Sequence, residues 1–192
     1  MSLDPLFRRM TLIVTVFAFV GFVLGVIALT TNYWTKVSLP PRPDMSISTE
    51  NGTYINYKSG LGWKGLLMSC TSFDKVSCTW ELMTTTFFLC SFGLISLLIG
   101  GIFSIWEMFK TSDRRFLIPM LYFVACVLMT AGLFDYGSTA QLNSYSSRAM
   151  ISAIVFVYGS LPISAFIAGR YSAYERYINN GQKYVPASTN GN

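Results

Sequence analysis

The sequence predicts an all-α membrane protein: a four-transmembrane-helix bundle that carries a strand-forming extracellular loop. Three observations lead there. The 192-residue chain is 52% hydrophobic and 12% charged, with a mean hydropathy of +0.47, whereas soluble domains carry about 25% charged residues. Four uncharged runs, Met10–Thr31, Met83–Trp106, Phe116–Phe134 and Ala149–Ala168, each approach or exceed the roughly 20 residues a helix needs to cross the hydrocarbon core. The one long polar stretch between runs, residues 32–82, holds two of the four cysteines, Cys70 and Cys78. Residues 1–170 therefore read as a single four-span domain and residues 171–192 as a cytosolic tail.

Orientation follows from the basic residues. The segments flanking the runs on one side contain Arg8 and Arg9, then Lys110, Arg114 and Arg115, then Arg170, Arg176 and Lys183. Those eight stand against four acids, while the two opposite loops hold six basic residues against five acids. Counted close to the span ends, this bias puts both termini in the cytosol. It also accounts for most of the net charge of +5. No basic patch interleaved with aromatics lies outside the membrane boundary, so nucleic acid is not an expected partner.

The first run reads as a retained span. It is longer than the h-region of a signal peptide, and no small-residue cleavage site precedes Asn32-Tyr33-Trp34. Tyr33 and Trp34 then fall at the outer interface. Loop 32–82 follows. Pro40-Pro41-Arg42-Pro43 excludes a regular central strand there. Asn51-Gly52-Thr53 is an N-glycosylation sequon on the lumenal face. Tyr54–Tyr57 alternates and is aromatic, which reads as a strand; Leu66–Cys70 and Val76–Trp80 read as a pair of strands. A disulfide between Cys70 and Cys78 would staple that pair, with two free thiols as the alternative. Closing so short a loop stabilises by about 2.5 kcal/mol. That is a large share of what holds a small sheet with no hydrophobic core beneath it. The bridge requires the oxidising side of a membrane, where orientation independently places the loop.

The remaining elements are spans two to four. Packing between helices in lipid relies on small residues. Gly21 and Gly25 in the first run, Ser96 and Gly100 in the second, and Ser160, Ser164 and Ala168 in the fourth provide them at four-residue spacing. These are expected to pack within the bundle, with a homodimer face as the alternative. Pro119 falls in the first turn of the third span, where a missing N–H costs little; Pro162 lies inside the fourth and should kink it. Asp135 and Arg148 bracket the second loop, residues 135–148, either as an ion pair or as two solvated interface residues. Tyr171, Tyr174 and Tyr177 suit the membrane surface, and the tail is expected to be largely disordered beyond Asn179-Asn180-Gly181.

The runs carry no charge, and nothing in them suggests a proton relay, a voltage sensor or a midplane substrate site. The chain has no histidine, the commonest general base and metal ligand. It has no phosphate loop, HExxH or GxSxG motif. Cys90 and Cys126 read as small residues of the helix core. No enzyme activity, cofactor, metal or small-molecule substrate is expected; the expected partners are membrane lipid and other membrane proteins.

Together these features resemble the claudin superfamily: claudins, peripheral myelin and epithelial membrane proteins, and the gamma subunits of calcium channels with their receptor-regulating relatives. The family motif is a Trp soon after the first span, then Gly-Leu-Trp, two residues, Cys, a short gap and a second Cys. Trp34, Gly65, Leu66, Cys70 and Cys78 fit it, and the resemblance covers about residues 8–170. Leu67 stands where the motif has its second Trp, and Trp63 is out of register for it. The stretch from Trp34 to Gly65 and the boundary Thr31-Asn32-Tyr33-Trp34 are closer to the gamma subunits. The short link from Cys78 to the second span, with Trp80 in it, is closer to the epithelial membrane proteins. The sequence ends without a hydrophobic PDZ-ligand residue, and the cytosolic cysteines that claudins use for palmitoylation are missing. The resemblance implies a left-handed four-helix bundle with a small extracellular antiparallel sheet. It also implies a plasma-membrane protein of cell–cell junctions or adhesion that acts through its first loop. The alternative is an auxiliary subunit of a channel or receptor. Lys64, Asp74, Lys75 and Glu81, two of each sign, predict no ion preference for the loop.

Overall fold

The computed structural model describes residues 5–43, 47–49, 52–54, 57–73, 75–109 and 116–182. Four helices dominate: α1 (Pro5–Thr30), α2 (Thr84–Phe109), α3 (Leu117–Thr139) and α4 (Tyr145–Gln182). Each is long and apolar enough to cross a membrane. Each touches two neighbours: α1 lies between α4 and α2, and α3 lies between α2 and α4. The core contains Val14 and Ala18 of α1, Leu94 and Leu97 of α2, Tyr122 and Met129 of α3, and Ala153 and Val157 of α4. Most large apolar side chains on the outer faces, such as Val23, Phe92, Phe123 and Val155, remain uncovered.

Small residues set how closely the helices approach. A Cβ on Gly21 would stand 3.2 Å from Ala153 O of α4, and one on Gly25 would run into Leu94 of α2. At Gly100 it would meet the Tyr122 ring at 2.8 Å. Ser96 donates to Leu121 O across the α2–α3 contact at 2.9 Å. Ser160 and Ser164 are buried and turn their protons back on their own helix, to Phe156 O and Leu161 O, while Ala168 packs without a polar group.

Several helix ends depart from the expected runs. Charges delimit an uncharged run, but helices continue through charges that find partners. Asp135 accepts from Thr86 Oγ1 at 2.6 Å, so α3 passes through it to Thr139. Among the described residues no ion pair joins Asp135 to Arg148, which lies in the first turns of α4. The connection read as residues 135–148 is therefore only Ala140–Ser144. Hydroxyls satisfy backbone carbonyls at these ends: Thr139 and the Ala140 N–H both donate to Tyr136 O at 2.9 Å, and Ser147 donates to Ser144 O. The α4 helix continues through Pro162 and on to Gln182. The first part of the tail, residues 171–182, thus extends the fourth helix, and residues 183–192, where disorder is expected, lie outside the described residues.

Residues 35–80 form β1 (Thr35–Pro43), β2 (Ile47–Thr49), β3 (Gly52–Tyr54), β4 (Tyr57–Lys64), β5 (Met68–Ser72) and β6 (Val76–Trp80). Four of these make an antiparallel sheet in the order β1-β4-β5-β6, and β2 and β3 pair separately. Tyr54–Tyr57, expected as one strand, instead closes β3 and opens β4. The prolines sit on edge strand β1, where the register shifts between Leu39 and Arg42; an edge and a bulge are where a strand tolerates residues without N–H donors.

Tight helix contact predicts asymmetric glycine substitutions. Gly100→Val forces the α2–α3 seam apart and lowers stability by about 1–3 kcal/mol. Gly169 has nothing within 4 Å of a built Cβ, so Gly169→Ala leaves stability unchanged or raises it by up to about 1 kcal/mol. Thermal unfolding of the two purified variants checks both.

Candidate functional site

The sheet stands on one end of the bundle, and the junction between them begins at the end of α1. Two hydroxyls there bond back to the helix, Thr30 to Val26 O at 2.9 Å and Thr31 to Ile27 O at 2.6 Å. Ala28 O is taken by a residue from outside the helix: the Trp34 indole N–H donates to it at 2.7 Å. A helix C-terminus leaves carbonyls without internal donors, and here an aromatic side chain caps one of them. Trp34 is fully buried within the protein. Its ring packs on Tyr136 of α3 with centroids 4.9 Å apart, and its backbone N–H donates to Lys64 O of β4 at 3.1 Å. One residue therefore joins α1, α3 and the sheet.

Proton counting defines the polar contacts around it. Thr35 gives its proton to Gln141 O at 2.6 Å. The Tyr136 hydroxyl is then shared between Thr35 Oγ1 at 3.0 Å and Lys64 O at 3.2 Å. Because Thr31 donates to its own helix, Ser146 must donate to Thr31 Oγ1 at 2.7 Å, and it accepts from Tyr33 N at 3.2 Å. The Ser146 N–H returns to Tyr33 O at 3.1 Å. Asn143 grips Lys36 at both backbone positions: its Oδ1 accepts from Lys36 N at 2.8 Å and its Nδ2 donates to Lys36 O at 2.9 Å.

Gly65 and Leu66 form the second attachment. A Cβ on Gly65 would stand 2.5 Å from Asn32 Cα, so only glycine allows the strand to pass this close to the end of α1. Leu66 is fully buried and belongs, with Trp34, to the core cluster. Its carbonyl accepts from Met83 N at 2.9 Å, and Leu67 O accepts from Glu81 N at 3.2 Å. The strand expected from Leu66 starts only at Met68, because Leu66 is an anchor into the bundle. Nor does the sheet lack a core: Trp34 and Leu66 are buried in the cluster shared with the helices, and Cys70 is buried within the sheet.

Cys70 and Cys78 are joined by a disulfide. They are directly paired on β5 and β6, where adjacent side chains approach most closely. Trp63 pairs with Cys70 from the β4 side and stacks on Tyr33 with centroids 5.9 Å apart. The indole thus shares a face with the disulfide. Lys36, on the same row, lies 5.3 Å from the centroid of the Tyr145 ring. Strand β6 is exposed along its whole length, with Trp80 78% accessible. Lys64 and Glu81 are neutralised in an ion pair of 2.9 Å. Asp74 and the sequon residue Asn51 lie outside the described residues.

The chain matches no protein-family model and no curated protein sequence.

The motif residues Trp34, Gly65, Leu66, Cys70 and Cys78 meet at this joint and the adjoining hairpin. The helix residues Gly21, Gly25, Ser96, Gly100, Ser160, Ser164 and Ala168 do not; they line seams within the bundle. Tyr136, Thr35, Asn143 and Ser146 hold the joint and were not singled out in the sequence. Small polar residues around a loop look like solvated turn residues, and nothing in their spacing distinguishes a clamp.

Two outcomes follow. Trp34→Phe keeps an aromatic ring but removes the indole N–H from Ala28 O and part of the buried ring, and it lowers stability by about 1–3 kcal/mol, measured by thermal unfolding. Replacing both Cys70 and Cys78 with serine costs about 2–3 kcal/mol; in the parent protein, intact-mass analysis after alkylation without reduction leaves both cysteines unlabelled, and labelling at both would contradict the bridge.

Proposed function

We propose that the chain is a divergent, non-enzymatic member of the claudin superfamily: a four-pass plasma-membrane protein of cell–cell junctions or adhesion. It acts through its stapled first loop and takes lipid and other membrane proteins as partners. The observation that carries this reading is the joint. A four-stranded sheet, bridged at Cys70–Cys78, is locked by Trp34 and Leu66 onto four helices that are each apolar enough to span a bilayer. Those residues, with Gly65, carry the family motif. Leu67 departs from it, while Trp63 supplies an indole on the face of the disulfide.

Orientation supports an outward-facing sheet. The sheet sits where α1 ends and α2 begins, while Arg8 and Arg9 near the start of α1 and Arg170 toward the end of the α4 span lie at the opposite end. Basic residues favour the cytosolic side, so the termini are cytosolic and the disulfide faces the oxidising compartment. A rigid platform suits contact with a neighbouring cell, because the loop presents its exposed strand without first ordering a flexible segment.

The second reading, an auxiliary subunit of a channel or receptor, is favoured by one feature. The hairpin β2–β3 lies outside the four-stranded sheet and lengthens the loop beyond what the stapled platform needs.

Expression in cells without junctions of their own tests the first reading. The protein is expected to concentrate at borders between two expressing cells and not at borders with non-expressing cells; uniform surface staining would remove its support. Purification from native membranes separates the readings, since co-purification with a stoichiometric channel or receptor would favour the auxiliary role.

A further inference from the structure

At the end of the bundle away from the sheet, all four helices line a small cavity. The space open to the centre of a water molecule is about 20 Å³, enough for a single buried water. Val14 and Ile118 form apolar walls, and Thr11, Ser104, Glu107 and Ser164 provide the polar lining.

The hydroxyls are not equivalent. Ser104 donates to Gly100 O at 3.0 Å and so accepts from the Tyr122 hydroxyl at 2.8 Å. Ser164 donates to Leu161 O at 2.8 Å. Thr15, one turn along α1, bonds back to Thr11 O at 2.8 Å. Thr11 itself is the exception: the residue is 4% exposed, and its Oγ1 is buried with no hydrogen-bond partner. A buried hydroxyl left in that condition is costly, and native interiors avoid it. The neighbouring carboxylate belongs to Glu107, itself only 7% exposed.

We infer that this cavity binds one ordered water molecule, which accepts the Thr11 proton and donates its own to the Glu107 carboxylate and the Ser164 oxygen. Water fits because the Thr11 hydroxyl needs an acceptor: of the three hydroxyls, Ser104 and Ser164 have already committed their protons and Thr11 alone has one to give, while a carboxylate oxygen accepts from water in turn. A monovalent cation would satisfy the oxygens but leave the Thr11 O–H without an acceptor. Bound there, the water bridges α1, α2 and α4 at the end opposite the sheet. The inference rests on the packed bundle and is independent of the proposed function.

The sign of one substitution tests it. Thr11→Val has nearly the same shape. If a water is bound, the change removes one of its partners and lowers the thermal midpoint by about 2–4 °C; Thr11→Ser, which keeps the hydroxyl, lowers it less. If the cavity is dry, Thr11→Val removes a stranded hydroxyl and the midpoint rises. A rise or no change overturns the inference. A second readout needs no variant: in full-length protein with labelled threonine methyl groups, in lipid nanodiscs, the Thr11 methyl shows a nuclear Overhauser effect to water. Absence of that signal also overturns it. Replacing sodium with choline leaves the midpoint unchanged if the occupant is water; a midpoint that falls as sodium is withdrawn assigns a cation instead.

Discussion

Everything at the sheet end depends on the hydrogen bond from the Trp34 indole to Ala28 O. It closes the last turn of α1 with a side chain that belongs to the next element. Only four residues, Thr31–Trp34, separate helix from strand, so capping the helix also fixes where β1 begins. The Tyr136 ring lies against the indole, and its hydroxyl reaches Lys64 O. The position of β4 is thereby tied to α3 as well. Backbone groups buried at such a junction need partners as much as those inside regular structure do. Here they find them in Thr35, Asn143 and Ser146. The sheet therefore takes its place from the helices rather than from its own modest core.

The helices, in turn, are held together by shape. Their outer faces are apolar, so burial of apolar surface between them contributes little if the surroundings are lipid, and close backbone approach has to do more. Gly21 against Ala153 and Gly100 against Tyr122 show how it is achieved. The large residues that fill the space, Tyr122 and Met129, lie opposite glycines on the adjacent helix.

Much of this was legible in the sequence because its causes are local. Hydropathy and length revealed four helices; the two cysteines and the pair of strands around them revealed the stapled hairpin. What was illegible depended on partners distant in the chain. The α3 helix runs through Asp135, whose carboxylate accepts a hydrogen bond from Thr86 on another helix. Nothing near residue 135 announces that. Trp34 read as an interfacial anchor, a usual role for an aromatic beside a span; its burial requires a carbonyl six residues back and a tyrosine over a hundred residues ahead. Leu66 read as strand for the same reason, since the start of a short apolar run, Leu66-Leu67-Met68, looks alike in a sheet and in an anchor.

The grip of Asn143 on Lys36 has a consequence for how copies of the molecule can meet. A side-chain amide occupies both backbone groups of an edge residue, much as a neighbouring strand would. Farther along β1, Pro40, Pro41 and Pro43 have no N–H to offer. One border of the sheet is thus shut, partly by a borrowed amide and partly by imino acids. The other border, β6, stays open. A sheet with two open borders can polymerise without limit. A sheet with one can join a twin through a two-fold axis and then has nothing left to extend. Of the two borders of the four-stranded sheet, β6 is therefore the one that offers its backbone to a further strand.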